Sequence, residues 1–172
     1  MGVDSVAAII DVIERNLVEF NYGFVIVNKT PLSHSKLEEY ASLLVSRINS
    51  LYDARLKLIV TEPDSWNLHK PPAYRWLYKQ NPTRRFLSSF KSGVIVTGQR
   101  KREGVLRRKL GFEGELYGKQ VLRPVFDKSK EYCFQKAILL LPELKEVWRK
   151  LYIETGHTSL DCVKCLRRIS LF

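Results

Sequence analysis

The apolar residues of the first third of the chain alternate between a helical and a strand-like period. That alternation constrains the fold more than any other feature. Val6, Ile9, Ile10, Ile13 and Leu17 recur at 3.6-residue spacing and predict a helix over 4–17, whose start Asp4 or Ser5 can cap. Phe24–Val27 is a short apolar run with strand character. Leu37, Tyr40, Ala41, Leu44, Ile48 and Leu51 then form a second helical stripe within 32–51, with Ser35 and Glu38 at capping-box spacing. Leu56–Val60 is another strand candidate, ended by Glu62-Pro63. The order helix, strand, helix, strand points to an α/β protein with a largely parallel sheet.

Further along, Pro71, Pro72 and Pro82 divide 66–90 into short pieces in which Tyr74, Trp76, Leu77 and Tyr78 read as short helices packing rings onto the sheet. The alternative there is base stacking beside phosphate contacts, since basic and aromatic residues are interleaved. Val94-Ile95-Val96-Thr97 is rich in β-branched residues and reads as a buried strand. Glycines at 114 and 118 and short alternating stretches mark a small hairpin or excursion within 111–122, and 123–127 reads as extended up to a helix cap at Ser129. A helix is predicted over 130–141, with Phe134, Ala137, Ile138 and Leu141 inside, and after Pro142 another over 144–153. There is no internal repeat and no low-complexity segment. At 172 residues, 45% of them hydrophobic, the chain suits a single domain over 1–172 with a tail at about 156–172. No apolar run approaches a membrane span, so no membrane is expected as a partner. Three cysteines and no export signal predict a cytoplasmic protein.

The charge is concentrated. The net charge is +11, and the segment 84–130 carries thirteen Lys or Arg against four acids, or +9. Its densest part follows the strand at Val94: Gly98 opens a loop containing Arg100, Lys101, Arg102, Arg107, Arg108 and Lys109. Ligands of open α/β sheets sit beyond the carboxyl ends of strands, and arginine forks pair bidentately with oxyanions. The partner expected is anionic: a nucleotide, a nucleic acid, or both. A solvated basic loop is the plain alternative.

Four sequence segments carry a resemblance. Gly2-Val3-Asp4-Ser5 opens the first helix, where glycine lets a backbone approach phosphate and the helix N-terminus offers free N–H groups. Gly98-x-Arg100-x-x-Glu103-Gly104-x-x-Arg107 is the basic loop, Arg123-Pro124-Val125-Phe126-Asp127-Lys128-Ser129 follows, and Leu151-Tyr152, Gly156 and Asp161-Cys162-x-x-Cys165 close the chain. Taken in order, these resemble the Gly-x-Asp-Ser end of a pyrophosphate loop, the Gly-x-Arg-x-x-Glu-Ser-x-x-Arg signature, the Pro-x-x-Asp-Trp-Ser segment and the Cys-x-x-Cys region of phosphoadenylyl-sulfate (PAPS) reductases. These belong to the ATP-pyrophosphatase (PP-loop, adenine nucleotide alpha hydrolase) superfamily. Gly104 stands where that family has serine, and Lys128 where it has tryptophan.

The resemblance implies a Rossmann-like, doubly wound, mostly parallel sheet with an adenine nucleotide, ATP or PAPS, at its carboxyl edge. The family's usual first strand has no counterpart after Met1. A gene start upstream, a different sheet, or a strand from a partner would each account for that. The resemblance places Gly2, Asp4, Ser5, Asn28, Gly98, Arg100, Glu103 and Arg107 at the nucleotide, with Arg100 and Arg107 as the catalytic cations and Glu103 orienting an arginine. It implies action at an α-phosphate or sulfo group in sulfur metabolism, or alternatively ATP-dependent RNA thiolation or a non-catalytic RNA- or DNA-binding module on the same fold. The assembly expected is a homodimer. The sequence lacks the family's Glu-Cys-Gly-Leu-His tail, so thioredoxin-linked reduction is not expected. Its three cysteines fall one short of a four-iron cluster. Cys162 and Cys165 remain open between half of a zinc or iron–sulfur site completed by His157 or Cys133, a redox pair assisted by Lys164 and Arg167, and small packed hydrophobes. His34 and His69 have no ligand-spaced neighbours.

Overall fold

The structure, a computed structural model, describes residues 1–18, 22–29, 34–61, 86–103 and 105–155. The aromatic stretch at 66–85 and the tail with His157, Cys162 and Cys165 lie outside them. Helix α1 (Val3–Glu14) leads to strand β1 (Gly23–Asn28), helix α2 (Leu37–Tyr52) and strand β2 (Leu56–Thr61). Strand β3 (Val94–Val96), a 3-10 turn (Lys101–Glu103) and the short helix α3 (Val105–Arg108) follow. Strands β4 (Glu113–Leu116) and β5 (Lys119–Leu122) then lead to helix α4 (Lys130–Leu140), a 3-10 turn (Pro142–Leu144) and helix α5 (Lys145–Thr155).

β1 and β2 pair in parallel, Gly23 opposite Leu56 through Asn28 opposite Thr61, so α2 is the crossover of a βαβ unit. β5 pairs in parallel with β3 and antiparallel with β4, in the order β3-β5-β4. The β4–β5 hairpin turns on Tyr117 and Gly118, both at positive φ (55° and 69°), as the primed turns that match strand twist require. Helices and small, partly parallel sheets thus make an α/β arrangement, as the helix–strand alternation predicts. Among the described residues the strands form two small sheets rather than one.

Among the described residues one cluster of buried side chains joins α1, β1, α2, α4 and α5. It takes Val3, Val6, Ala7 and Ile10 from α1, Val25 and Val27 from β1, Leu37, Ala41, Leu44 and Ile48 from α2, Ala137 and Leu140 from α4, and Trp148 from α5. Asn49 fastens α2 to the start of β2, accepting from the Leu56 N–H (2.8 Å) and donating to the Leu56 carbonyl (3.0 Å). Arg47 donates to the Leu140 carbonyl (2.7 Å), closing the end of α4, and pairs with Glu143. Its guanidinium holds the Glu143 carboxyl below the usual carboxylate range.

α1 packs on α4, and the contacts fix their direction. Asp4 meets Lys130, Asp11 accepts from the Tyr132 hydroxyl (2.7 Å), and Glu14 meets Lys136. Partners advance together along both helices, so the two run parallel with their N-termini at the same end.

Several expectations are corrected. The N-cap of α1 is Gly2, and neither Asp4 nor Ser5 caps it with a side chain; the Asp4 carboxylate is engaged by two cations instead. α1 ends at Glu14, leaving Leu17 beyond it. α2 begins after Lys36 with no side-chain cap, so the Ser35–Glu38 box does not form. His34 Nδ1 accepts from the Lys36 N–H (3.2 Å) there. Leu51 is 66% exposed, because the last turn of α2 runs past the core. β3 is half-buried, with Val94 exposed, since it lies at one edge of its sheet. Residues 124–127 form turns rather than an extended segment: Pro124 presets the dihedral of a turn start, and the Phe126 N–H reaches back to the Arg123 carbonyl (3.0 Å). Ser129 caps α4 as predicted, accepting from the Tyr132 N–H. Among the described residues no helix is long and apolar enough to cross a membrane.

Trp148, on α5, is fully buried in the core cluster. Trp148→Ala is expected to cost about 3–5 kcal/mol, read as a lowered urea midpoint.

Candidate functional site

Three segments meet at the end of the molecule where α1 and α4 begin. The Thr97 N–H extends the β3–β5 ladder to the Leu122 carbonyl (3.0 Å), and the chain then passes directly over the first turn of α1. A Cβ at Gly98 would lie 2.5 Å from the Asp4 carbonyl carbon and from the Ser5 nitrogen. These are backbone atoms that cannot swing aside, so only glycine fits. The Lys101 N–H donates to the Phe126 carbonyl (2.8 Å), tying the basic loop to the turn over 123–128.

Asp4 is the centre of the charge at this junction. Its Oδ1 lies 3.0 Å from Arg100 Nε and its Oδ2 2.7 Å from Lys130 Nζ. Arg100 is only 8% exposed, and a guanidinium so buried requires a carboxylate. Cys133, buried one turn into α4, is hydrogen-bonded to the same carboxylate. Burial first, then the charge of Asp4 and that hydrogen bond, push its thiol up to about 12, while Arg100 and Lys130 pull weakly the other way. At neutral pH this sulfur is a protonated donor and not a nucleophile.

Arg123 has a structural task. Its Nε donates to Gln99 Oε1 (2.9 Å) and its Nη1 to the Gly111 carbonyl (3.2 Å), and its N–H donates to the Phe112 carbonyl (2.8 Å). It clamps the basic loop to the strand that enters the β4–β5 hairpin. Beside it opens a cleft of about 490 Å³ lined by Lys101, Arg102, Arg108, Phe126 and Asp127. Lys101 and Asp127 face one another at 3.9 Å, both well exposed.

Of the residues singled out from the sequence, Gly2, Asp4, Ser5, Gly98 and Arg100 come together. Gly2 is the N-cap of α1, its carbonyl accepting from the Ser5 and Val6 N–H groups (3.1 Å each). Ser5 is exposed. Glu103 closes the 3-10 turn, and Arg107 lies half-buried in α3, its carbonyl accepting from the Leu110 N–H (3.0 Å). Asn28 ends β1 in the other sheet, opposite Thr61. Among the described residues no group of three or more His, Cys, Asp or Glu could hold a metal.

Arg102 and Arg108 belong to the basic loop where the sequence placed an anion, but Lys130 and the cleft residues Phe126 and Asp127 were not legible as site residues. One signal existed for Lys130. A cation at the first position of a helix opposes the macrodipole, so its presence there asks for a nearby carboxylate.

Gly98→Ala is expected to destabilise the fold by about 1–3 kcal/mol, measured by chemical denaturation, because loop or helix must move apart. Cys133 in the native protein is expected to resist iodoacetamide at pH 8, with labelling mapped by mass spectrometry, and to react once urea unfolds the chain. Between an ordinary thiol value of 9.0 and about 12 the folded state keeps a proton that the unfolded chain releases. Stability carried by this thiol is therefore complete below about pH 9 and declines toward pH 12. A scan against protein-family models and a search of curated proteins find no match to this chain.

Proposed function

We propose that this chain is an adenine-nucleotide-binding protein of the PAPS-reductase-like kind, on a doubly wound, mostly parallel sheet. One observation carries the reading: Gly98, at the head of the basic loop, is pressed against the Asp4–Ser5 peptide at the start of α1. Two of the segments that resemble the family are far apart in sequence and touch in space. A third, the turn over 123–128, is hydrogen-bonded to the same loop. The parallel pairs β1–β2 and β3–β5, with α2 as a crossover, support the doubly wound sheet.

In this reading the ligand lies at the junction of loop and turn, where the N-termini of α1 and α4 direct their positive ends. Fixed cations in the loop stabilise negative charge developing at an α-phosphate or sulfo group, as preorganised electrostatics do. Isothermal titration with ATP, AMP and PAPS tests it: binding of at least one at micromolar to millimolar strength is expected, and no binding of any overturns it.

The exposed cations Lys101, Arg102, Arg108, Lys109 and Lys128 favour one second reading, a nucleic-acid-binding module. That module would show RNA or DNA affinity falling steeply with salt and no nucleotide affinity.

A further inference from the structure

We infer that the anionic group of the ligand is held by Arg102 and Arg108 at the cleft, and that Arg100, the most deeply set cation of the loop, serves the fold. The inference rests on the nucleotide-binding reading and names the residues and the ligand chemistry of that site. Three observations lead to it.

The first is the occupation of the cations. Arg100 is buried against Asp4, which also takes Lys130, so the carboxylate already occupies the position an incoming phosphate would need. Arg123 is spent on Gln99 and the Gly111 carbonyl. Lys101 stands opposite Asp127. Among the described residues Arg102 and Arg108 have no acidic partner, and both are exposed. The second is position. Both line the same cleft as Phe126, one from the 3-10 turn and one from the end of α3, so their guanidinium groups approach one space from two elements. That arrangement suits a phosphate or sulfate group taking forks from two sides.

The third is size. About 490 Å³ falls within the range of small-molecule sites and matches a mononucleotide. Single-strand binders instead track a backbone over several nucleotides with successive aromatic platforms, whereas among the described residues the cleft is lined by one aromatic residue, Phe126, itself 6% exposed. The ligand class is therefore a mononucleotide carrying a phosphate or sulfate, its anion at Arg102 and Arg108. Asp127 supplies an acceptor for hydroxyl groups.

The test uses the full chain, with ATP and inorganic pyrophosphate titrated calorimetrically into wild type, Arg102→Gln, Arg108→Gln and Arg100→Gln. Arg102→Gln and Arg108→Gln are each expected to weaken ATP and pyrophosphate about tenfold or more, with the melting temperature unchanged because both side chains are exposed. Arg100→Gln is expected to lower the melting temperature and, where still folded, to bind within about threefold of wild type. Wild-type affinity in both Arg102→Gln and Arg108→Gln overturns the inference and leaves the nucleotide reading standing, whatever Arg100→Gln does. A wild type that binds neither ATP nor pyrophosphate overturns the inference, and the nucleotide reading falls with it only where AMP and PAPS do not bind either. Displacement of ATP by a short single-stranded RNA more tightly than by AMP replaces the mononucleotide with nucleic acid and overturns the ligand class.

Discussion

A single carboxylate organises one end of this molecule. Asp4 sits in the first turn of α1, where a negative charge is favoured by the helix dipole, and it receives Arg100 from the basic loop and Lys130 from the first position of α4. Lys130 opposes its own helix dipole, and Asp4 offsets that. Removing one member of so buried a group would leave the others desolvated without a partner, which in proteins costs about 3–5 kcal/mol. The close approach of Gly98 to the Asp4–Ser5 backbone makes the arrangement possible, because a side chain there would hold the loop away from the helix. Sterics set the distance, and charge then fixes the partners.

The α1–α4 contact continues this logic below the junction. Asp11 is 1% exposed on α1 and accepts from the Tyr132 hydroxyl, with Lys136 Nζ at 3.8 Å. Burial, reinforced by that hydrogen bond, pushes the Tyr132 hydroxyl above the usual phenol range. Glu14 pairs with Lys136 and accepts from the Tyr52 hydroxyl (3.2 Å), carrying the network onto α2. These polar rungs lie beside the apolar ones of Ala7 and Ala137, and their order makes the two helices parallel. Two helix N-termini, the end of β3 and the 123–128 turn consequently share one edge, where the cations also collect. The same stacking hides Cys133 against Asp4 and keeps its thiol protonated.

Cations that look alike in a list of residues divide by what surrounds them. Arg100 and Arg123 are buried and committed to Asp4, Gln99 and backbone carbonyls, so they hold the loop in shape. Arg102 and Arg108 face solvent across the cleft. A high local positive charge therefore does two jobs: part of it stiffens the loop, and part remains outward for an anion.

Apolar spacing located α1, α2, α4 and α5 and the strands β1 to β3, because burying one apolar face requires residues at helical or strand spacing whatever the partner; glycine positions marked the β4–β5 excursion, and residue type marked the Ser129 cap. Local residue order also placed the basic loop directly after β3. Where it erred, the deciding force was nonlocal. Asp4 did not cap α1 because Arg100 and Lys130 offered a charged partner in place of a backbone N–H. Leu51 fell on the helical stripe yet lies past the edge of the core. The turn after Arg123 bends because Pro124 and two hydrogen bonds favour it over an extended path. The sequence by itself determined where the longer helices and the strands form and where the charge is dense, since both follow from local residue order. Only the tertiary structure decided which arginine is buried and which faces the cleft, because that depends on a carboxylate nearly a hundred positions away in the chain and on a glycine that lets the two segments touch.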